Sequence, residues 1–142
     1  MSKNSDALNA AVTAWNAGDL DGYLTLYDES IRLHGYAPAP LDKAGVRAYY
    51  QMIHNALTAV GAASPALRLE DVIEQGDRIA ARFMLTGEHR GPFMDVPSTG
   101  RSIALPGITI MHFRDGRVTE RWATADMLGL LAQIGAWSPS AG

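Results

Sequence analysis

Cysteine is absent from the 142 residues, so disulfide bonds, thiolate nucleophiles and cysteine-based metal sites are excluded. Lysine and arginine form no cluster, and the formal net charge is -3. We therefore expect that the protein binds neither nucleic acid nor an anionic membrane. No apolar run is long enough to span a bilayer, and the first six residues lack a signal-peptide pattern. These features predict a cytoplasmic protein.

The composition is that of a folded chain. Apolar residues make up 47% and charged residues 19%, which is typical of a globular protein rather than a disordered one. The length suits one domain over residues 1–142 with one core. We expect residues 1–5 and 138–142 to be flexible.

The first half of the sequence has helical spacing. Apolar side chains recur at helical intervals over residues 7–15, and again over residues 20–27 after Asp19, a plausible N-cap. A third helix is predicted from Asp42 to Leu57. Residues 31–36 form a short predicted strand between the second and third helices.

The second half alternates as strands do. Strands are predicted over residues 67–74, 78–89, 102–113 and 117–125, and a short helix over 127–134. Asp115-Gly116 predicts a two-residue hairpin turn, and Pro106-Gly107 a bulge. Helices that precede long antiparallel strands predict an α+β fold, a curled sheet with helices on its concave face. The space between them is a natural pocket.

Several motifs in this order resemble one known family. They are Trp15-x-x-Gly18-Asp19-Leu20-Asp21, Gly76-Asp77-x-x-Ala80-x-Arg82, Thr86-Gly87-Glu88-His89, Pro97-Ser98-Thr99-Gly100-Arg101 and Asp115-Gly116-Arg117-Val118-x-Glu120-x-Trp122-x-x-x-Asp126. Together they resemble the SnoaL-like branch of the nuclear transport factor 2-like superfamily. The resemblance implies a cone-shaped fold, frequent homodimers and polyketide cyclase activity. Other branches of this fold include ketosteroid isomerase and limonene epoxide hydrolase.

The family's chemistry directs attention to carboxylates. SnoaL-like cyclases are metal-free and cofactor-free, and they use a carboxylate base for an intramolecular aldol ring closure. The resemblance makes Asp126 the candidate base. Its place directly before Met127 also suits a helix cap, and the cap is the role that we favour. The family often carries an acid directly after the tryptophan of the last strand, where this chain has Ala123.

The other candidate site residues are aromatic or basic. His34 lies on the first predicted strand, just before the proline loop and beside the expected pocket. There it is either a second catalytic group that donates to a carbonyl or an ordinary loop-edge histidine. His54 shares a helix face with Tyr50, and either side chain lines the pocket or lies on a half-exposed flank. The predicted substrate-binding residues are Trp15, Tyr27, Tyr50, His54, Phe83, Met111 and Trp122.

The hairpin predicts which side chains share a face. Counting from the Asp115-Gly116 turn places Glu120, Trp122 and Asp126 on the pocket face and His112 on the outer face. The outer face also carries Ile108 and Ile110, which predicts a homodimer packed through this side of the sheet.

Three functions remain open from the sequence. The first is a cyclase or isomerase acting on a small apolar or aromatic carbonyl compound, with no cofactor. The second is a non-catalytic dimer that binds a small ligand. The third is an epoxide hydrolase, for which Arg82 and Asp71 are candidates, although Asp71 also suits a strand irregularity. The spacing of His, Asp and Glu contains no known metal motif.

Overall fold

Each helix begins after a residue that can cap it. The computed structural model describes residues 2–139, and its helices are α1 (Lys3–Asn16), α2 (Leu20–Leu24), α3 (Lys43–Leu57) and α4 (Met127–Gln133). Each preceding side chain accepts a hydrogen bond from the backbone N–H three residues later, and these caps are Ser2, Asp19, Asp42 and Asp126. The caps satisfy amides that a helix start leaves unpaired.

The two ends of the chain are only partly described. Helix α1 already includes residues 3–5. Met1 and residues 140–142 lie outside the described residues, so the flexibility expected for residues 1–5 and 138–142 stays a prediction.

Five strands form one open sheet. They are β1 (Tyr27–His34), β2 (Ala66–Gln75), β3 (Arg78–Glu88), β4 (Ser102–Arg114) and β5 (Arg117–Ala125), in the spatial order β1-β5-β4-β3-β2. The α+β fold is confirmed. Strands β2 to β5 are antiparallel, as predicted, whereas β1 runs parallel to β5 and makes the sheet mixed. No hairpin joins β1 to β5, so no turn fixes their relative direction.

The second helix is shorter than its apolar spacing predicts. It ends at Leu24, and Tyr27 starts β1 instead of completing the helical stripe. The Lys43 side chain holds this junction, because its Nζ donates to the carbonyl oxygens of Leu24 at 2.9 Å and Tyr27 at 2.5 Å.

The β4–β5 hairpin contains a bulge that the sequence did not reveal. Asp115 and Gly116 have φ of 53° and 78°, as the predicted two-residue turn requires. Phe113 then pairs with Val118, but His112 pairs with Glu120, which leaves Thr119 as an extra residue. Beyond Thr119 the buried side chains of β5 are Arg121 and Ala123. The predicted register, with Glu120 and Trp122 inward, is therefore wrong.

The predicted bulge at Pro106-Gly107 is also wrong. Strand β4 pairs with β3 without a register shift from Ser102 to His112. Gly107 instead makes room for the Phe83 ring, which would collide with a Cβ atom at this position.

The helices cover one face of the sheet and leave the other open. Buried side chains of α1 and α3 pack against the inward residues of β3, β4 and β5 in one apolar core. The outer face carries exposed apolar side chains, namely Ile73, Ile108, Ile110 and Trp122. No helix in the described part of the chain is long and apolar enough to cross a membrane.

Candidate functional site

A pocket lies between the helices and the inner face of the sheet. Its cavity volume is about 60 Å³, which holds several water molecules or the edge of an organic ring. Aliphatic and aromatic side chains form most of the wall, and five of the lining residues are tyrosines: Tyr23, Tyr27, Tyr36, Tyr49 and Tyr50. Among residues 2–139, Arg121 is the one charged side chain that lines this pocket.

Arg121 is held in the pocket by hydroxyl groups. Its Nε donates to Thr109 Oγ1 at 2.8 Å. Its Nη1 donates to the hydroxyls of Tyr27 at 2.6 Å and Tyr50 at 2.5 Å, and reaches that of Tyr23 at 3.5 Å. The side chains of residues 2–139 offer Nη2 no hydrogen-bond acceptor.

Four of the five pocket tyrosines have a raised pKa. Burial raises the pKa of Tyr23 and of Tyr27 well above the ordinary value, and the two hydroxyls lie 2.6 Å apart. Burial also raises the pKa of Tyr36 and of Tyr49. These tyrosines therefore stay protonated, and the permanent charge in the pocket is the positive charge of Arg121.

Aromatic packing fixes the pocket walls. Trp15 donates from Nε1 to the Pro65 carbonyl oxygen at 2.8 Å, and its ring lies edge-on to Tyr23 and Tyr50 with centroids 4.9 and 5.4 Å away. Tyr36 and Tyr49 stack with centroids 4.5 Å apart and planes 9° from parallel. Fixed aromatic rings of this kind suit an apolar organic ligand.

Most of the predicted substrate-binding residues line the pocket. Trp15, Tyr27, Tyr50, Phe83 and Met111 all do so. His54 instead lies behind the Trp15 ring, 4.3 Å between centroids. Burial lowers its pKa, and its buried Nε2 finds no hydrogen-bond partner within residues 2–139.

Trp122 and His34 lie on the outer face rather than in the pocket. The bulge at Thr119 turns Trp122 outward, where 40% of it is exposed. His34 pairs with Trp122 across β1 and β5, and their rings stack 5.1 Å apart. The His34 Nε2 lies 2.6 Å from Glu120 Oε2. The prediction that His34 and Trp122 border the pocket is therefore wrong, and this geometry gives His34 no contact with the cavity.

Asp126 occupies a capping position. Its Oδ1 accepts a hydrogen bond from the Gly129 N–H at 2.9 Å, at the start of α4. It does not line the pocket. Of the two roles that the sequence left open, the geometry supports the cap, and it gives no support for Asp126 as the base.

The pair proposed for an epoxide hydrolase also lies outside the pocket. The register shift between Leu69 and Asp71 turns Asp71 away from the pocket-lining Leu69, and Asp71 pairs with Arg82 on the outer side of the sheet. Within residues 2–139, no three His, Asp or Glu side chains come together as a metal-binding group.

Sequence reasoning missed Arg121. It follows Glu120 and precedes Trp122, so a register with Trp122 inward assigns Arg121 to solvent, where arginine usually lies. Neither glycine nor proline marks the bulge at Thr119. A usable signal was Ala123, the residue directly after Trp122. A small apolar residue suits the buried face, and strand alternation then assigns Trp122 to the opposite face.

The fold and the pocket are those of a family of proteins that act on or bind small molecules, and comparisons with known proteins identify that family. The profile of the SnoaL-like polyketide cyclase family matches residues 5–134. Aklanonic acid methyl ester cyclase from Streptomyces galilaeus is 28% identical over 137 residues, covering 95% of this chain and 92% of that protein. Nogalonic acid methyl ester cyclase from Streptomyces nogalater is 29% identical over 129 residues, covering 87% and 91%.

A solved structure has the same fold. AclR of Streptomyces galilaeus, a proposed hydroxylase, superposes with a TM-score of 0.85 and 25% identity, covering 97% of this chain and 99% of that chain. Because the family profile spans nearly the whole sequence, the chain belongs to the SnoaL-like polyketide cyclase family.

Proposed function

We propose that the protein closes a ring in an enolisable, largely apolar carbonyl compound, and that Arg121 stabilises the developing enolate oxygen. The observation that supports this is the buried guanidinium, fixed by Thr109, Tyr27 and Tyr50 in an otherwise apolar cavity. Donors fixed in advance around a developing negative charge lower the barrier most where water is excluded. An aldol ring closure develops such a charge on oxygen and needs no cofactor.

The relatives supply the first substrates to test. Two of them are cyclases of aklanonic acid methyl ester and nogalonic acid methyl ester. We expect the purified protein to convert at least one of these compounds into a product of the same mass, because an aldol ring closure rearranges bonds without gain or loss of atoms. Chromatography with mass detection measures this conversion.

The matched variants are Arg121→Gln and Arg82→Gln. Loss of the Arg121 donors should lower kcat by about 100-fold or more, the usual effect of removing an oxyanion donor. Arg82 is exposed on the outer side of the sheet, so Arg82→Gln should leave kcat unchanged. Equal rates in the two variants, a product that has gained an oxygen atom, or no conversion of either ester would contradict the proposal.

We also propose that two copies pack through the outer sheet face. Ile73, Ile108 and Ile110 are 65%, 59% and 45% exposed there. Ile110 pairs with Trp122 on β5, and Ile73 lies in the same row across the sheet. A contiguous apolar patch on a sheet is typical of an interface between subunits. The cytoplasmic location and the lack of nucleic-acid and membrane partners stay predictions from composition.

A further inference from the structure

The carboxylates of this chain are all engaged or placed away from the pocket. The fifteen Asp and Glu residues lie within residues 2–139, and none of them lines the cavity. Three cap helices, and six form ion pairs with Arg, Lys or His. Glu74 and Asp77 bond to Ser2 and Asn4. Of the remaining four, Asp6 lies in the first turn of α1 and Asp71 on the outer sheet face, and Asp95 and Asp115 lie in turns.

The histidines lie elsewhere as well. His34 and His112 contact Trp122 on the outer face, and His54 lies behind Trp15. His89 is fully buried in the loop after β3, where its Nδ1 lies 2.9 Å from Thr99 Oγ1. Across residues 2–139, the titratable groups that line the pocket are therefore Arg121 and the five tyrosines.

Arg121 is a buried charge without an opposing charge. Removing a cation from water costs several kcal/mol unless an anion or strong acceptors compensate it. Neutral hydroxyls accept from Nε and Nη1, while Nη2 has no acceptor among residues 2–139. Tyr50 accepts from Arg121, and the hydroxyl groups beside its own are those of Tyr27 and Tyr36. The pocket thus offers donors and positive charge to a ligand.

From this arrangement, which rests on the proposed function, we infer that the pocket takes its substrate as the enolate anion of a 1,3-dicarbonyl compound. A hydrogen on the carbon between two carbonyls is acidic enough to be lost to water, so no side chain of the pocket has to remove it. The enolate oxygen accepts hydrogen bonds from Arg121 Nη2 and from the Tyr50 hydroxyl. The aromatic walls hold the rest of a planar, conjugated ligand.

The ring closure then balances without a protein base. The carbon between the two carbonyls loses its proton to water, and the resulting enolate carbon attacks a second carbonyl carbon of the same molecule. One C–C bond forms, the π bond of the attacked C=O group opens, and the resulting alkoxide takes a proton from water. One proton therefore leaves the substrate to water and one is regained from water.

Equilibrium binding of benzoylacetone, a 1,3-diketone whose enolate absorbs in the near ultraviolet, tests the inference without turnover. The wild-type protein should lower the pKa of the bound probe by at least about one unit, a tenfold preference for the enolate. Arg121→Gln should abolish this shift and Tyr50→Phe should reduce it, whereas Arg121→Lys should keep part of it. Arg82→Gln should behave as wild type. Circular dichroism establishes that each variant is folded.

Three results with benzoylacetone would overturn the inference. They are an unchanged probe pKa on binding, no binding at millimolar concentration, and a shift that survives in folded Arg121→Gln. Arg121-dependent binding of benzoate without any shift for benzoylacetone would also overturn it, because the site would then be a carboxylate site.

The pH dependence of turnover separates this inference from the proposed function. With two substrates of different acidity, the pH at which kcat/KM levels off should move with the substrate. If kcat/KM levels off at the same pH for both substrates, the titrating group is a base on the protein. The inference would then fail while the cyclase function stands. A shifted pKa of bound benzoylacetone together with no ring closure in either ester would contradict the proposed function alone.

Discussion

Arg121 combines a charge in the interior with neighbours that carry none. Only 6% of it is exposed, and the groups that hold it are the hydroxyls of Thr109, Tyr27 and Tyr50. Replacing a buried ion by an apolar side chain of similar volume is often neutral or stabilising, because the cost of its desolvation disappears. Arg121 therefore serves ligand binding at the expense of stability.

The change Arg121→Met tests this conflict. We expect the free energy of unfolding, measured in urea by circular dichroism, to stay the same or to rise by about 1–2 kcal/mol. Turnover should be lost in the same variant. The exposed Arg47, which pairs with Asp21, provides the control, and Arg47→Met should change stability by less than about 1 kcal/mol. A fall of more than about 2 kcal/mol in Arg121→Met would show that the guanidinium holds the tyrosines together.

Asp126, the residue before helix α4, was predicted either to cap the helix or to act as a base. Asp126 bonds to the Gly129 N–H and lies outside the pocket lining. As a cap, Asp126→Ala should lower the free energy of unfolding by about 1 kcal/mol, while Asp126→Asn should cost only a few tenths. Both variants should keep the wild-type kcat, measured with the ester substrates. A 100-fold loss in Asp126→Asn would instead identify a base.

The elements themselves were predictable because their signals are local. Helical spacing, caps such as Asp19 and the Asp115-Gly116 turn each act within a few residues, and the structure has the cap and the turn. The helical spacing held except at Tyr27, which belongs to β1. The parallel pairing of β1 with β5 joins residues about ninety positions apart, and no local pattern encodes it.

The site was predictable where core and pocket share side chains. Trp15, Tyr50 and Phe83 were predicted to line the pocket from the apolar stripes that carry them, and the structure has all three buried and on the cavity wall. Trp122 failed because one extra residue at Thr119 reverses the alternation of β5. That reversal turns Glu120 outward with Trp122 and brings Arg121 inward, which decides the charge of the pocket.

At the scale of the whole molecule, the open outer face is the main unexplained surface. We expect light scattering at micromolar concentration to give twice the 15.3 kDa chain mass. Ile110→Lys places a charge in the middle of the apolar patch and should give a monomer. Val60 is 77% exposed and lies outside the sheet, so Val60→Lys should remain dimeric. A monomeric wild-type protein would remove the interface.

The bulge at Thr119 gives β5 a spare residue. Loss of one residue between Val118 and Arg121 would restore regular pairing with β4 and leave Arg121 facing the cavity, because the pairing beyond this point already counts one residue extra. Loss of a residue between Arg121 and Ala125 has no such reserve and would put the following side chains on the opposite face. The loss of one residue therefore has opposite consequences on the two sides of Arg121. Between Val118 and Arg121 the deletion preserves the chemistry of the cavity, and between Arg121 and Ala125 it replaces the cavity wall.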